Sequence, residues 1–207
     1  ACHIWQTRSI QLIGYMRTLS IFFAFLLILS STACAQERVA SPRGEASTQI
    51  EGSWIVVEYG RPILRGRTEV FGTGDEYGVD ITGGAPVWRA GANQSTRFMT
   101  ETDLNIGGAD LPAGEYSLFV DLSGNEWTLI LSNHKARPQS RSEEPGIWGA
   151  YDYSADLDVL RVPMQKVNSS VSHDQLTMAF YDVSTTDGTF AIMWEDQVAT
   201  VSFELTK

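Results

Sequence analysis

The sequence predicts an all-β fold, an antiparallel β-sandwich or jelly roll with little helix, and three observations predict it. Short segments rich in β-branched and aromatic residues recur at near-regular spacing after residue 50. Gly- and Asp-containing turn signals separate them. No stretch after residue 36 sustains a 3.6-residue apolar period over three turns, so no amphipathic helix competes. With 207 residues, 43% of them hydrophobic, the chain fills one ordinary core and leaves two full domains cramped.

The elements follow in order. Residues 54–59 (WIVVEY) read as a strand. Residues 115–120 (EYSLFV) and 127–131 (WTLIL) flank a Gly-containing loop and read as a hairpin. Residues 133–149 form one long unpatterned loop. In residues 159–164 (VLRVPM), Pro163 marks an edge strand or a bulge. In residues 175–182 the alternation puts Leu176, Met178 and Phe180 on one face. Residues 189–195 and 199–205 read as a closing hairpin, with Val201, Phe203 and Leu205 facing one way. A single sandwich domain over residues 51–207 is expected, preceded by a flexible lead-in over residues 36–50.

The N-terminal part reads as an address. Met16 and Arg17 precede an apolar run over residues 19–29 and small residues over 30–35, the order of a secretory signal peptide. Residues 1–35 are therefore expected to comprise upstream residues and this signal, with translation starting at Met16. The run is shorter than the ~20 residues that span a bilayer, so no transmembrane anchor is expected in the mature protein. Two processing signals compete. Ala33-Cys-Ala35 fits simple cleavage before Gln36, the favoured reading, whereas Cys34 would carry a lipid in a lipoprotein. Either way the destination is the periplasm or the extracellular space. Cleavage after Ala35 would remove Arg8, Arg17 and both cysteines, leaving 13 basic against 25 acidic residues. Such a domain has no disulfide and no thiol chemistry. Its acidity argues against nucleic acid, where Lys and Arg contacts to phosphate supply affinity.

Basic charge is unevenly placed. Arg61, Arg65, Arg67, Arg89 and Arg97 are five of those 13, within the strings YGRPILRGR (59–67) and VWRAGANQST (87–96) and just after the second. These strings, with LPAGEYSLF (111–119), the segment 127–133, YDY…D..RV (151–162) and the pair Trp194-Glu195, resemble a bacterial family of exported proteins catalogued as domain of unknown function 2911. The resemblance covers about residues 41–207 and implies no established activity. Arg65 stands where that family usually has Lys, and residues 72–86 are longer and richer in Gly and Asp than the family's turn. If that turn shapes the mouth of a site, ligand choice differs here.

Arg61, Arg67, Trp88, Arg89, Asn93 and Thr96 combine guanidinium forks, an indole face and an amide. They are the candidate ligand-binding residues, for a small anionic or carbohydrate-like molecule. The competing structural reading has Arg61 or Arg89 pinning strand ends against Glu58, Glu195 or Asp158, with Gly91-Ala-Asn93 as a tight turn. The leading functional expectation is noncatalytic binding. One alternative is a hydrolase of extracytoplasmic substrates using Glu195 with the arginine cluster. The other is an envelope scaffold. His134 and His173 show no metal-ligand spacing, and no nucleophile elbow or phosphate loop is present, so no metal or cofactor is expected.

Overall fold

A computed structural model describes residues 39–206 except Asn125. The signal-peptide and lipid-site expectations fall on residues 1–35, outside the described residues. No described helix is long and apolar enough to cross a membrane.

Among the described residues, ten strands form two antiparallel sheets. The larger holds β1 (Arg43–Ile50), β2 (Ser53–Gly60), β3 (Thr96–Thr100), β6 (Gly114–Asp121), β7 (Thr128–Ser132) and β8 (Asp158–Pro163), in the order β1-β2-β3-β6-β7-β8. The smaller holds β4 (Leu104–Ile106), β5 (Ala109–Leu111), β9 (Gln165–Tyr181) and β10 (Asp187–Leu205), in the order β5-β4-β10-β9. The all-β sandwich is thus the observed architecture. β6 and β7 are a hairpin, and β8, with its Pro163, is an edge strand. Among the described residues, helix is limited to single turns, one of them at Val79–Thr82.

Alternation places the core between the sheets. Ile55, Val57 and Tyr59 of β2 are buried, as are Leu176 and Met178 of β9 and Val201 and Phe203 of β10. Phe180 and Leu205 pack against this core from partly buried positions. β6 and β7 are buried on both faces. Phe119 and Ile130 point away from the main core and meet Val87, Ile147 and Ala150 in a second apolar cluster. The long loop after β7 folds over that face, fixed by backbone bonds between Arg137 N and Ile147 O and between Ile147 N and Lys135 O. Burial on two sides fits the unbroken burial of residues 116–120.

Two expectations about elements are corrected. The lead-in is not flexible throughout: Arg43–Ile50 form the edge strand β1, paired with β2 along its whole length. Its small polar residues hid it, and β2 supplies the ordering through backbone bonds. Residues 189–195 and 199–205 do not form a hairpin. They are two parts of β10, which pairs with β9 as far as Thr200 and with β4 from Phe203 to Leu205. Glu195-Asp-Gln-Val198 offers no tight-turn chemistry, so the strand bends instead. The bend is a bulge: the step from Glu195 to Gln197 on β10 faces the step from Asn168 to His173 on β9. Beyond it the chain returns until Leu205 N donates to Thr186 O.

Candidate functional site

The predicted cluster resolves into separate structural roles. Trp88 is 1% exposed. Its ring meets Phe71 and Trp127 edge-on and lies parallel to Trp194, while its backbone exchanges two bonds with Val120. It is core, and no guest reaches its face. Thr96 is fully buried and donates from Oγ1 to Ala90 O. Ser95, also buried, donates to Gly149 O and Ile147 O. Asn93 is exposed, with φ 64°, and its carbonyl accepts from Arg89 Nη1. The GAN string is a turn packed tightly on β2: a Cβ on Gly60 would fall about 2.1 Å from Ala92 O.

The arginines find different partners. Arg61 donates to Leu176 O and Thr177 Oγ1 and so ties the end of β2 to β9 across the sandwich. Arg67 donates to Ile63 O and Leu64 O in its own turn. Arg89 stacks on Tyr151, 5.3 Å from the ring centre, and reaches its hydroxyl. The acids expected to neutralise Arg61 or Arg89 are engaged elsewhere. Glu58 pairs with Arg97, which also binds Glu115. Asp158 pairs with Arg161, which also binds Asp121. The YDY…D..RV string builds that second network: Tyr153 donates to Asp158 Oδ2 at 2.6 Å and accepts from Arg161. Burial first, and then Asp158, push the Tyr153 hydroxyl far above the ordinary phenol range.

Arg61, Arg67, Trp88, Arg89, Asn93 and Thr96 line none of three open cavities on the described surface. The one built around Glu195 has a volume of about 370 Å³. It sits at the bend of the β9–β10 ribbon, between the bulged strands and the loop that precedes the helical turn. The bend supplies Glu195, Asp196 and Gln197, β9 supplies Lys166 and Asn168, and the loop supplies residues 69–77 in part.

Several local features hold this geometry. Glu195 has φ 54°, a left-handed backbone that costs a non-glycine residue about 1–3 kcal/mol. Its carboxylate offsets that cost by accepting from the backbone amides of Glu69 and Val70, which latches the loop to the bulge. Phe71 anchors the loop in the core against Trp88, Trp127 and Trp194. Tyr77 accepts a 2.7 Å bond from Trp127 Nε1. Lys166 Nζ lies 4.9 Å from the Tyr77 ring centre and 3.4 Å from its hydroxyl. Gln197 is 9% exposed; Nε2 donates to Asp196 Oδ1 at 2.6 Å, and Oε1 has no partner. A buried acceptor left without a donor costs about 1–3 kcal/mol.

Of the sequence-predicted residues, only Glu195 lies at this cavity, without its expected arginine. Sequence reasoning missed Phe71, Tyr77, Lys166, Asn168, Asp196 and Gln197. One signal was available: Glu-Asp-Gln interrupts an otherwise apolar, alternating strand. Of residues 72–86, Gly72, Thr73, Gly74 and Tyr77 form part of the cavity wall. Among the described residues, no group of three or more His, Cys, Asp or Glu side chains could hold a metal ion.

A family model described as "Protein of unknown function (DUF2911)" matches residues 41–203. No curated protein and no solved structure matches the chain.

Proposed function

On the premise that this chain belongs to the DUF2911 family of unknown function, we propose that its sandwich is an exported, noncatalytic domain that binds a small carbohydrate-like ligand at the bend of β9–β10. The observation that carries the reading is the cavity itself, an open space of about 370 Å³ with mixed polar and aromatic lining. Around it stand the groups a polyhydroxylated molecule uses: carboxylate and amide acceptors, an ammonium and a phenol as donors, and the rings of Phe71 and Tyr77.

An anionic ligand fits less well. Glu69, Glu195 and Asp196 face a single cation, Lys166, and no arginine lines the space. The hydrolase alternative required Glu195 to share a cavity with the arginines, and that support is missing. Export rests on the apolar run at residues 19–29 and the small residues after it.

The test is a titration of the ¹⁵N-labelled protein with glucose and N-acetylglucosamine. Amide shifts confined to residues 69–77, 166–168 and 195–197 are expected. Shifts centred on residues 88–93, or no shift with either sugar, would overturn the proposal.

A further inference from the structure

Histidine is the side chain whose charge ordinarily changes between about pH 5 and 8. His134, which closely follows β7, makes a contact that only its neutral form can make. Its carbonyl accepts from Ser117 Oγ of β6 at 2.7 Å, which fixes its backbone. Its ring stands edge-on to Phe119, with centroids 6.2 Å apart, and tilted against Tyr153 at 5.8 Å. The ring therefore lies between β6 and the segment 150–157 that leads into β8.

Nε2 lies 3.0 Å from Ser154 N and 3.1 Å from Ser154 O. A backbone N–H is a fixed donor, and this one is aimed at Nε2, so Nε2 must present its lone pair. A proton there would set two N–H groups against each other at hydrogen-bond distance. The neutral ring therefore holds its proton on Nδ1. In the charged ring both nitrogens are donors. Nε2 then loses the Ser154 amide and gains only a share of Ser154 O, which already accepts from Leu157 N at 3.3 Å. Ser154 matters to its neighbours, because it opens the turn Ala155–Leu157 and its Oγ accepts from Asp156 N. Charged groups stand on every element around the ring. On β6, Glu115 is paired with Arg97 and Asp121 with Arg161. Asp158, at the start of β8, also pairs with Arg161 and accepts from Tyr153. Asp152 and Asp156 lie on the segment itself, Asp156 accepting from Ser154 Oγ, and Lys135 is next to His134 in the chain.

We infer that His134 is a pH-sensitive clasp on segment 150–157. The neutral ring pins the segment at the Ser154 amide, and the protonated ring releases that amide, so the segment loosens in mild acid.

NMR of the ¹⁵N-labelled protein between about pH 8 and pH 5, the range over which histidines change charge, tests this. At the upper end the ring nitrogens are expected to show a proton on Nδ1 and a bare Nε2. On acidification the Ser154 amide proton should shift with the same midpoint as the His134 ring. Its exchange, taken relative to the intrinsic rate at each pH, should quicken about tenfold, the scale of one hydrogen bond. Amides of β6 and β7 should keep their protection over this range, since carboxyl groups titrate lower, near ~4. His134→Gln offers an acceptor oxygen and has no charge to gain, so its Ser154 amide should not respond to pH. A proton on Nε2 in the neutral ring, or a Ser154 amide that stays still while the ring titrates, overturns the inference on the unaltered protein. A Ser154 response that survives in His134→Gln overturns it as well.

Discussion

Replacing Trp88 by alanine would separate a core role from a binding role. The indole is 1% exposed and touches the rings of Phe71, Trp127 and Trp194. Its removal leaves a void that these large rings cannot close without leaving their own rotamers. A buried Trp→Ala change costs about 3–5 kcal/mol. Against a total stability of about 5–15 kcal/mol that is a large fraction, and it corresponds to a fall of about 6–20 °C in melting temperature for a domain of this size. A surface stacking platform would behave differently, since exposed substitutions stay within about 0.5 kcal/mol. Urea unfolding followed by far-UV circular dichroism reads the difference as a lower midpoint at unchanged slope. A midpoint equal to that of the parent protein would refute the packing argument and return Trp88 to the list of ligand contacts.

Two other outcomes follow from the same structure. In Glu195→Gln the backbone strain persists but one of the two acceptor oxygens becomes an NH₂ group, so the loop latch loses a charge-assisted bond worth about 1.5–3 kcal/mol. Hydrogen exchange at the Glu69 and Val70 amides should quicken about tenfold or more, and equal protection would show that the latch does not hold the loop. Acid should destabilise the domain through Glu115 and Asp121. The Arg97 hydrogen bond, against a smaller desolvation effect, holds Glu115 below its ordinary value. Burial pushes Asp121 up, but Ser123 and Arg161 outweigh it and leave it low. Carboxyls depressed in the folded state are protonated first in the unfolded chain. Their contribution is therefore complete above the unfolded values near ~4 and is lost as pH falls through the folded ones. Urea midpoints measured from neutral to acid pH should fall less steeply in Asp121→Asn than in the parent, and parallel curves would contradict the assignment.

What could be read from residues alone was whatever depends on local pattern. The β-branched and aromatic density of segment 54–59 announces a strand, and alternation in 175–182 does so because a pleated chain presents every second side chain to one face. The β6–β7 loop and the edge position of β8 followed from Gly and Pro, whose backbone limits act wherever they sit. The motif strings of residues 59–67 and 87–96 were equally visible, and their recurrence in a family was real. Their meaning was not visible. A guanidinium in a sequence carries no record of its partner, and here Arg61 meets a carbonyl 115 residues away.

The tertiary structure alone decided the site. Lys166, Tyr77 and Gln197 come from three distant stretches, none unusual in its own neighbourhood, and they meet because a bulge on β9, opposite Glu195 and Gln197, bends the β9–β10 ribbon. That bend depends on pairing with β9 and on amides offered by Glu69 and Val70. Composition and periodicity describe how each segment fills a face. Long-range contacts choose which faces meet, and a binding cavity is formed by that choice.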